Sequence, residues 1–330
     1  MNKLLTIVIP TYNMQDYLRK CLDSLIVDES KMPLLEVLVI NDGSKDSSSE
    51  IAHEYESRFP GTFRVIDKEN GGHGSCCNVG LAEATGKYFR ILDADDWLTN
   101  LDSFMNFLRG EEADIVFTKL NRFYEDSGAE QVVERISPDG DVHLLKNLKV
   151  SDFKGDYQLS NHWYATYRTA MLKPHQPLFA SYRYYTDTIL FAAPLLLAKT
   201  YVSVDLVLYN YRLGRSGQSV DPEVMVRNRN LTVKTGSHMH QFISDYRANS
   251  NGCSAEVLDF IIARRVGLWI SYLPSFLSYS VCREQMKDVS RVIPLYCPEK
   301  AKSMSLRLYR ILPFWMYYFG KRFFTNTKSA

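Results

Sequence analysis

The feature that most constrains this 330-residue chain is the alternation of short apolar runs and helix-period segments through its first 118 residues. Residues 4–9 read as a buried strand, stopped by Pro10. Between 14 and 26, Tyr17, Leu18, Cys21, Leu22 and Leu25 fall on one helical face. Apolar runs at 35–40, 63–66, 87–92 and 114–117 predict further strands, and 46–57 and 74–84 predict helices between them. Such alternation implies an α/β architecture, a mostly parallel sheet covered on both faces. Sheets of this kind bind ligands at the carboxyl ends of their strands. Four polar loops fall there: Pro10-Thr11-Tyr12-Asn13, Asn41-Asp42-Gly43-Ser44, Glu69-Asn70-Gly71-Gly72 and Asp93-Ala94-Asp95-Asp96. Four polar loops along one edge point to one site.

The last of these loops carries the most chemistry. A hydrophobic strand ends in Phe89-Arg90-Ile91-Leu92, and three carboxylates follow within four residues. Strand alternation would send Asp93 and Asp95 to the same side. Two adjacent carboxylates repel, and a divalent cation or a set of hydroxyl donors relieves that repulsion. Oxygen ligands of this type suit Mg²⁺ or Mn²⁺, with substrate phosphates and water completing the shell. The competing reading is a polar turn, with Asp96 or Asn100 capping the next helix.

About residues 3 to 118 resemble family 2 glycosyltransferases of the GT-A fold. The resemblance rests on Val8-Ile9-Pro10-Thr11-Tyr12-Asn13, Val39-Ile40-Asn41-Asp42-Gly43-Ser44-Lys45-Asp46, Glu69-Asn70-Gly71-Gly72, Asn78-Val79-Gly80 with Ala84-Thr85-Gly86-Lys87-Tyr88, and Asp93-Ala94-Asp95-Asp96-Trp97. It implies a GT-A-like, Rossmann-like sheet and inverting transfer of a sugar from a nucleotide-sugar, most often a UDP-sugar. Pro10, Thr11 and Tyr12 would then border the base and ribose. Asp42 would accept from the N3–H of uracil, although the same residues make a good turn. Asp93 would bind ribose hydroxyls, with Ala94 beside it, and Asp95 would hold Mn²⁺ or Mg²⁺ on the diphosphate. Asn70, Gly71 and Gly72 would let backbone approach the donor. His73 is a neighbour with no fixed role.

The acceptor hydroxyl must lose a proton as it attacks, which calls for a further carboxylate as general base. The resemblance places it at Asp187, where Thr186-Asp187 stands in place of the commoner Glu-Asp. Either residue can also cap a helix over 188–197. Asp152, Asp156 and Asp205 are rivals. Arg212 or Arg215, in a tyrosine-arginine-serine segment, is expected to reach the diphosphate. Gln218 is followed by Ser219-Val220-Asp221, so the Gln-X-X-Arg-Trp pattern of processive synthases is absent and one sugar per encounter is expected. Trp163 and His162 are candidates for the acceptor platform, with core packing as the alternative fate.

Composition sets outer limits. Net charge is +1, which gives no field for nucleic acid. Six cysteines lack zinc spacing and suit a reduced cytosol. No signal peptide is evident in the first residues. The expected division is 1–118 for the donor half, 119–220 for the acceptor half with the base, and 221–330 as a helical extension. Residues 222–245 read as polar helix, and 266–282 as a packed helix pair rather than a membrane span. Residues 306–324 are aromatic and basic, which suits the inner face of an anionic membrane. Docking on the protein or on a second subunit is the alternative. The acceptor expected is a surface glycan, free or lipid-linked, of the capsule, exopolysaccharide, lipopolysaccharide or teichoic-acid type. A nucleotidyltransferase is disfavoured by Pro10-Thr11-Tyr12-Asn13-Met14, where such enzymes carry a basic, glycine-rich loop. A non-catalytic scaffold has no support, because Asp42, Asp93, Asp95 and Asp187 are all present.

Overall fold

The computed structural model describes residues 3–134, 136–149, 152, 162–179, 187–215, 218, 257, 279–280, 282–283, 286–287 and 304–326, with backbone alone at 187–189, 304–306 and 321–326. Ten strands form one sheet: β1 (Leu5–Thr11), β2 (Leu35–Asn41), β3 (Phe63–Asp67), β4 (Tyr88–Ile91), β5 (Trp97–Leu98), β6 (Ile115–Tyr124), β7 (Glu130–Val133), β8 (Val142–Leu144), β9 (Ala165–Arg168) and β10 (Thr200–Leu213). Among the described residues the α-helices are α1 (Gln15–Asp23), α2 (Ser48–Arg58), α3 (His73–Glu83), α4 (Leu101–Leu108), α5 (Thr169–Leu172), α6 (Asp187–Leu197), α7 (Met304–Ile311) and α8 (Phe314–Asn326).

The strand order is β3-β2-β1-β4-β9-β6-β10-β5, with β7 on β6 and β8 on β10. β1 lies parallel to β2 and β4, and β2 parallel to β3. β9 runs antiparallel between β4 and β6, and β10 returns parallel to β6. Every residue of β1 and β2 is buried, the pattern of strands covered on both faces.

β1 runs through Pro10, which the sequence predicted would end it. The Val8 carbonyl accepts from Leu92 on the β4 side. Pro10, two residues on, faces that side where β4 has already ended, so its missing N–H breaks no ladder bond. The division expected at residue 118 falls inside β6, so donor and acceptor halves share one sheet. Residues 222–245 lie outside the described residues, as does most of 266–282. Among the described residues no helix is long and apolar enough to cross a membrane.

Close approaches fix α3 on the sheet. A Cβ on Gly80 would lie 2.3 Å from Val8 Cγ1, so only glycine lets the helix settle against β1. Buried Glu36 accepts from Thr6 Oγ1 at 2.6 Å and from the Thr85 N–H at 2.7 Å, which ties the end of α3 to β1 and β2. Asp46 joins two helix starts: it accepts from the N–H of Gln15 on α1 and of Ser48 on α2, both at 3.1 Å.

Replacing Gly80 with Ala should lower stability by about 1–3 kcal/mol through overpacking, despite the gain in helix propensity. Thermal unfolding of the variant measures it, and an unchanged or higher midpoint would contradict the close packing.

Candidate active site

The four polar loops meet at the carboxyl ends of β1 to β4, as expected for one site. Asn41-Asp42-Gly43-Ser44 follows β2, and Gly43 takes a φ of +72° there. The Asp42 N–H donates to the Thr11 carbonyl at 2.8 Å. Its carboxylate is buried and collects the Gly71 N–H and Gly72 N–H, each at 2.8 Å, and Lys68 Nζ at 2.6 Å. Asn70 Nδ2 donates to the Asp42 carbonyl. Burial raises the Asp42 pKa, but Lys68 and the two glycine N–H groups outweigh it and hold the carboxyl below its usual range. Asp42 therefore anchors the glycine loop as well as making a turn. Thr11 turns its hydroxyl back to the Ile9 carbonyl, Pro10 is buried, and Tyr12 is half-buried at the strand end.

β4 ends at Ile91, and the Asp96 N–H donates to the Asp93 carbonyl at 3.0 Å. Residues 93–96 thus form a turn, and strand alternation does not govern them. The three carboxylates part company. Asp93 Oδ1 lies 3.0 Å from His73 Nε2, its Oδ2 accepts from Trp163 Nε1 at 3.0 Å, and His162 Nε2 is 3.7 Å away. The Asp93 N–H donates to the Tyr209 hydroxyl. Burial pushes the Asp93 carboxyl up, but His162, His73 and Trp163 hold it well below the usual range. Burial lowers the His73 imidazole, yet Cys77 and Asp93 raise it well above its ordinary value.

Asp95 Oδ2 accepts from Arg215 Nε at 2.5 Å, and its backbone carbonyl accepts from Arg212 Nε at 2.9 Å. Asp96 points inward. It accepts from the Arg212 N–H at 2.8 Å and from the Tyr209 hydroxyl at 2.6 Å. Burial, then Asp95 and Asp93, push its pKa well above the carboxylate norm. Asn100 does precede α4, but its side chain donates to the Val207 carbonyl and makes no cap.

A match to the model described as "Glycosyl transferase family 2" covers residues 6–173, half of the chain. The chain belongs to glycosyl transferase family 2. Within that family, EpsH of Bacillus subtilis is 30% identical over 216 residues, 63% of this chain and 60% of that one. The glycosyltransferase GlyA of Streptococcus pneumoniae is 28% identical over 224 residues, 65% of this chain and 31% of that one. The chain therefore spans less than two thirds of either relative's length. The minor teichoic acid biosynthesis protein GgaA of Bacillus subtilis is 24% identical over 93% of this chain and 70% of its own. A crystal structure of S. aureus TarS 1–349 in complex with UDP-GlcNAc matches with a TM-score of 0.65 and 21% identity, over 97% of this chain and 88% of that one. At that identity the likeness speaks for the fold.

The structure places three of the sequence-predicted residues of this family 2 site inside the protein. Trp163 and His162 are buried. The Trp163 ring stacks on Tyr211 with centroids 3.8 Å apart, and its N–H serves Asp93. Arg212 is buried too and is bound to Glu125 at 2.6 Å, so the arginine that faces a site carboxylate is Arg215. Asp187 opens α6, which packs against the turn His162–Tyr164, and its side chain lies outside the described residues, as do Asp156 and Thr186. Asp152 caps a local turn at Lys149, and exposed Asp205 pairs with Lys119. The sequence reading missed Arg90, fully buried, which donates to Thr166 Oγ1 at 2.7 Å and to the Trp163 carbonyl. A lone arginine inside an apolar strand was the available signal. It also missed Lys68 and Tyr209, which carry no local pattern.

These shifts set a pH window. Asp93 is depressed, so its contribution is complete above its unfolded value near pH 4 and is lost as pH falls through the folded one. His73 is raised, so its contribution is complete below about pH 6.5 and is lost as pH rises through its folded value. Trp163→Phe keeps the stacked ring and removes one donor to Asp93. A hydrogen bond to a charged group is worth about 1.5–3 kcal/mol, so stability near neutral pH should fall by that order, with the acid limb of the stability profile shifted to higher pH. Thermal unfolding across pH checks this, and an unchanged midpoint and profile would refute it.

Proposed function

We propose that the chain transfers one sugar from a UDP-sugar to a hydroxyl of a cell-surface glycan acceptor, free or lipid-linked, with inversion at the anomeric carbon. One observation carries the proposal. A single turn at the carboxyl edge of the sheet presents Asp93, held rigid and ionised, beside Asp95, whose described side-chain partner is the Arg215 guanidinium. The first suits ribose hydroxyls and the second a cation on the diphosphate. The UDP-GlcNAc complex of TarS supports the nucleotide, and the likeness to GgaA supports the acceptor class.

Asp95 is the carboxylate that would hold Mn²⁺ or Mg²⁺, an oxygen ligand of the kind such cations take. A cation there would neutralise the charge that gathers on the departing UDP. Arg215, beside Asp95, is placed to hold a phosphate oxygen. Asp187 takes the proton of the acceptor hydroxyl. The acceptor oxygen bonds to the anomeric carbon as the bond to the β-phosphate oxygen breaks, and both electrons of that bond leave with UDP. One displacement inverts the anomeric centre. The Gln218 amide donates to the Arg212 carbonyl and accepts from the Gly214 N–H, which ties the loop after β10.

A thermal-shift panel of UDP-, GDP-, dTDP- and CMP-sugars with and without Mn²⁺ tests the donor, because a ligand of the native state raises its apparent stability. Stabilisation by a UDP-sugar that needs Mn²⁺ and is lost in Asp95→Ala is the expected result, and a flat panel on folded protein overturns it. Asp187→Asn should keep the donor shift and lose roughly 10²-fold or more of turnover with an accepting glycan, measured as UDP release. Wild-type turnover in that variant would remove Asp187 from the mechanism.

A further inference from the structure

The C-terminal helices carry an apolar face turned outward, which sugar transfer does not use. α7 and α8 are joined at Leu312 and Pro313. Their inner side is aromatic: Tyr309 meets Tyr317 at 5.5 Å and Phe314 at 6.1 Å, and Tyr279 meets Phe314 at 5.0 Å and Tyr318 at 5.4 Å. Tyr317 and Tyr318 are buried there. The other side holds Ile311 at 76% exposure, Phe319 at 58%, Trp315 at 55%, Met316 at 42% and Leu308 at 41%. Trp315 and Phe319 stand one turn apart, and Met316 beside them, so the three share a face opposite Tyr317 and Tyr318. Of ten large exposed hydrophobics among the described residues, five fall within 308–319. A cluster of that kind marks an interaction surface, whereas singly scattered ones do not.

Charge names the partner. Arg307 and Arg310 are exposed on α7, one turn before and immediately beside Ile311. Residues 301–330 hold Lys302, Arg307, Arg310, Lys321, Arg322 and Lys328 and no acidic residue, while the rest of the chain carries a net −5. Two copies meeting through this face would bring like charges together. An anionic lipid surface instead takes the arginines at its headgroups and the apolar side chains below them. Trp315 suits that boundary, where amphipathic rings concentrate. The geometry points to Leu308, Ile311, Trp315, Met316 and Phe319, with Arg307 and Arg310, as a peripheral docking face for an anionic membrane.

Co-sedimentation of the full chain with sucrose-loaded vesicles tests this independently of any transfer assay. Binding to vesicles containing phosphatidylglycerol should be strong, should weaken with added salt, and should fall at least about tenfold on phosphatidylcholine alone. The combined variant Ile311→Glu, Trp315→Glu, Phe319→Glu should lose binding to both while keeping its circular dichroism and donor thermal shift. Arg307→Gln with Arg310→Gln, which leaves the apolar face intact, should weaken binding to the anionic vesicles roughly tenfold. No binding by the wild type, or equal binding by wild type and triple variant, overturns the proposal. So does a wild-type dimer in sedimentation velocity that ignores vesicles and dissociates in the triple variant, which would give the face to a second copy.

Discussion

The hydrogen bond from the Trp163 indole to Asp93 joins the two halves of the site. Asp93 follows β4, at the end of the donor half, and Trp163 belongs to the turn before β9. His73 reaches the same carboxylate from the first residue of α3, and the Tyr209 hydroxyl, on β10, takes its backbone N–H. A carboxylate held by groups from two other elements in a mostly buried place depends on both, because loss of one leaves its charge less compensated. Trp163 is itself fixed twice over. Tyr211 covers its ring, and Arg90 holds its carbonyl from beneath the sheet. Arg90 is fully buried, and burial lowers its pKa to about 10, so at neutral pH it remains a cation deep in the protein. Its place in β4 makes the strand that carries Asp93 also the strand that positions the partner of Asp93.

One turn then gives three carboxylates three environments. Asp93 is held ionised by two imidazoles and an indole, Asp96 is driven toward the neutral acid by burial and by its two neighbours, and Asp95 keeps a guanidinium. Neutralising Asp96 lowers the negative charge that the turn must carry. The two Asp96 oxygens accept from the Arg212 N–H and the Tyr209 hydroxyl, so β10 stays registered against the turn. Pushing neighbouring carboxyl groups apart in pKa is a general way for a site to divide tasks among like residues. Here it separates Asp93 from Asp96, three residues along the same turn.

Much of this was legible in the sequence, for local reasons. The apolar runs became β1 to β4, because a strand covered on both faces must be apolar throughout. The polar loops fell on one edge because parallel strands put all their carboxyl ends there. The pairing beyond β4 was not legible. β9 inserts antiparallel between β4 and β6, and β5 returns to β10, through pairings separated by about 50 to 110 residues that no local period records. The same distance hid the work of Trp163, Arg212 and Tyr209. A tryptophan beside Tyr164 and Tyr167 signals burial or a platform equally well, and only the fold shows Asp93 opposite its N–H. Strand alternation misplaced Asp93 and Asp95 because it was carried past Ile91, where the strand stops and a turn begins.

Packing also bears on the proposed base. The turn His162–Tyr164 touches α6, the helix that Asp187 opens, and the Tyr167 hydroxyl donates to the Leu190 carbonyl within that helix. Asn78 on α3 holds both the N–H and the carbonyl of Phe179. The chain is thus pinned to the donor half on the near side of residues 180–186 and to the Trp163 turn on the far side. A displacement reaction needs its base and its leaving group held at a fixed separation, and rigid elements keep such a separation better than loops do. In this chain the separation between the Asp93 turn and the start of α6 is set by Trp163, Tyr167 and Arg90, none of which needs to touch a substrate. The proposed base and the Asp93 turn are thereby held through one set of packed side chains.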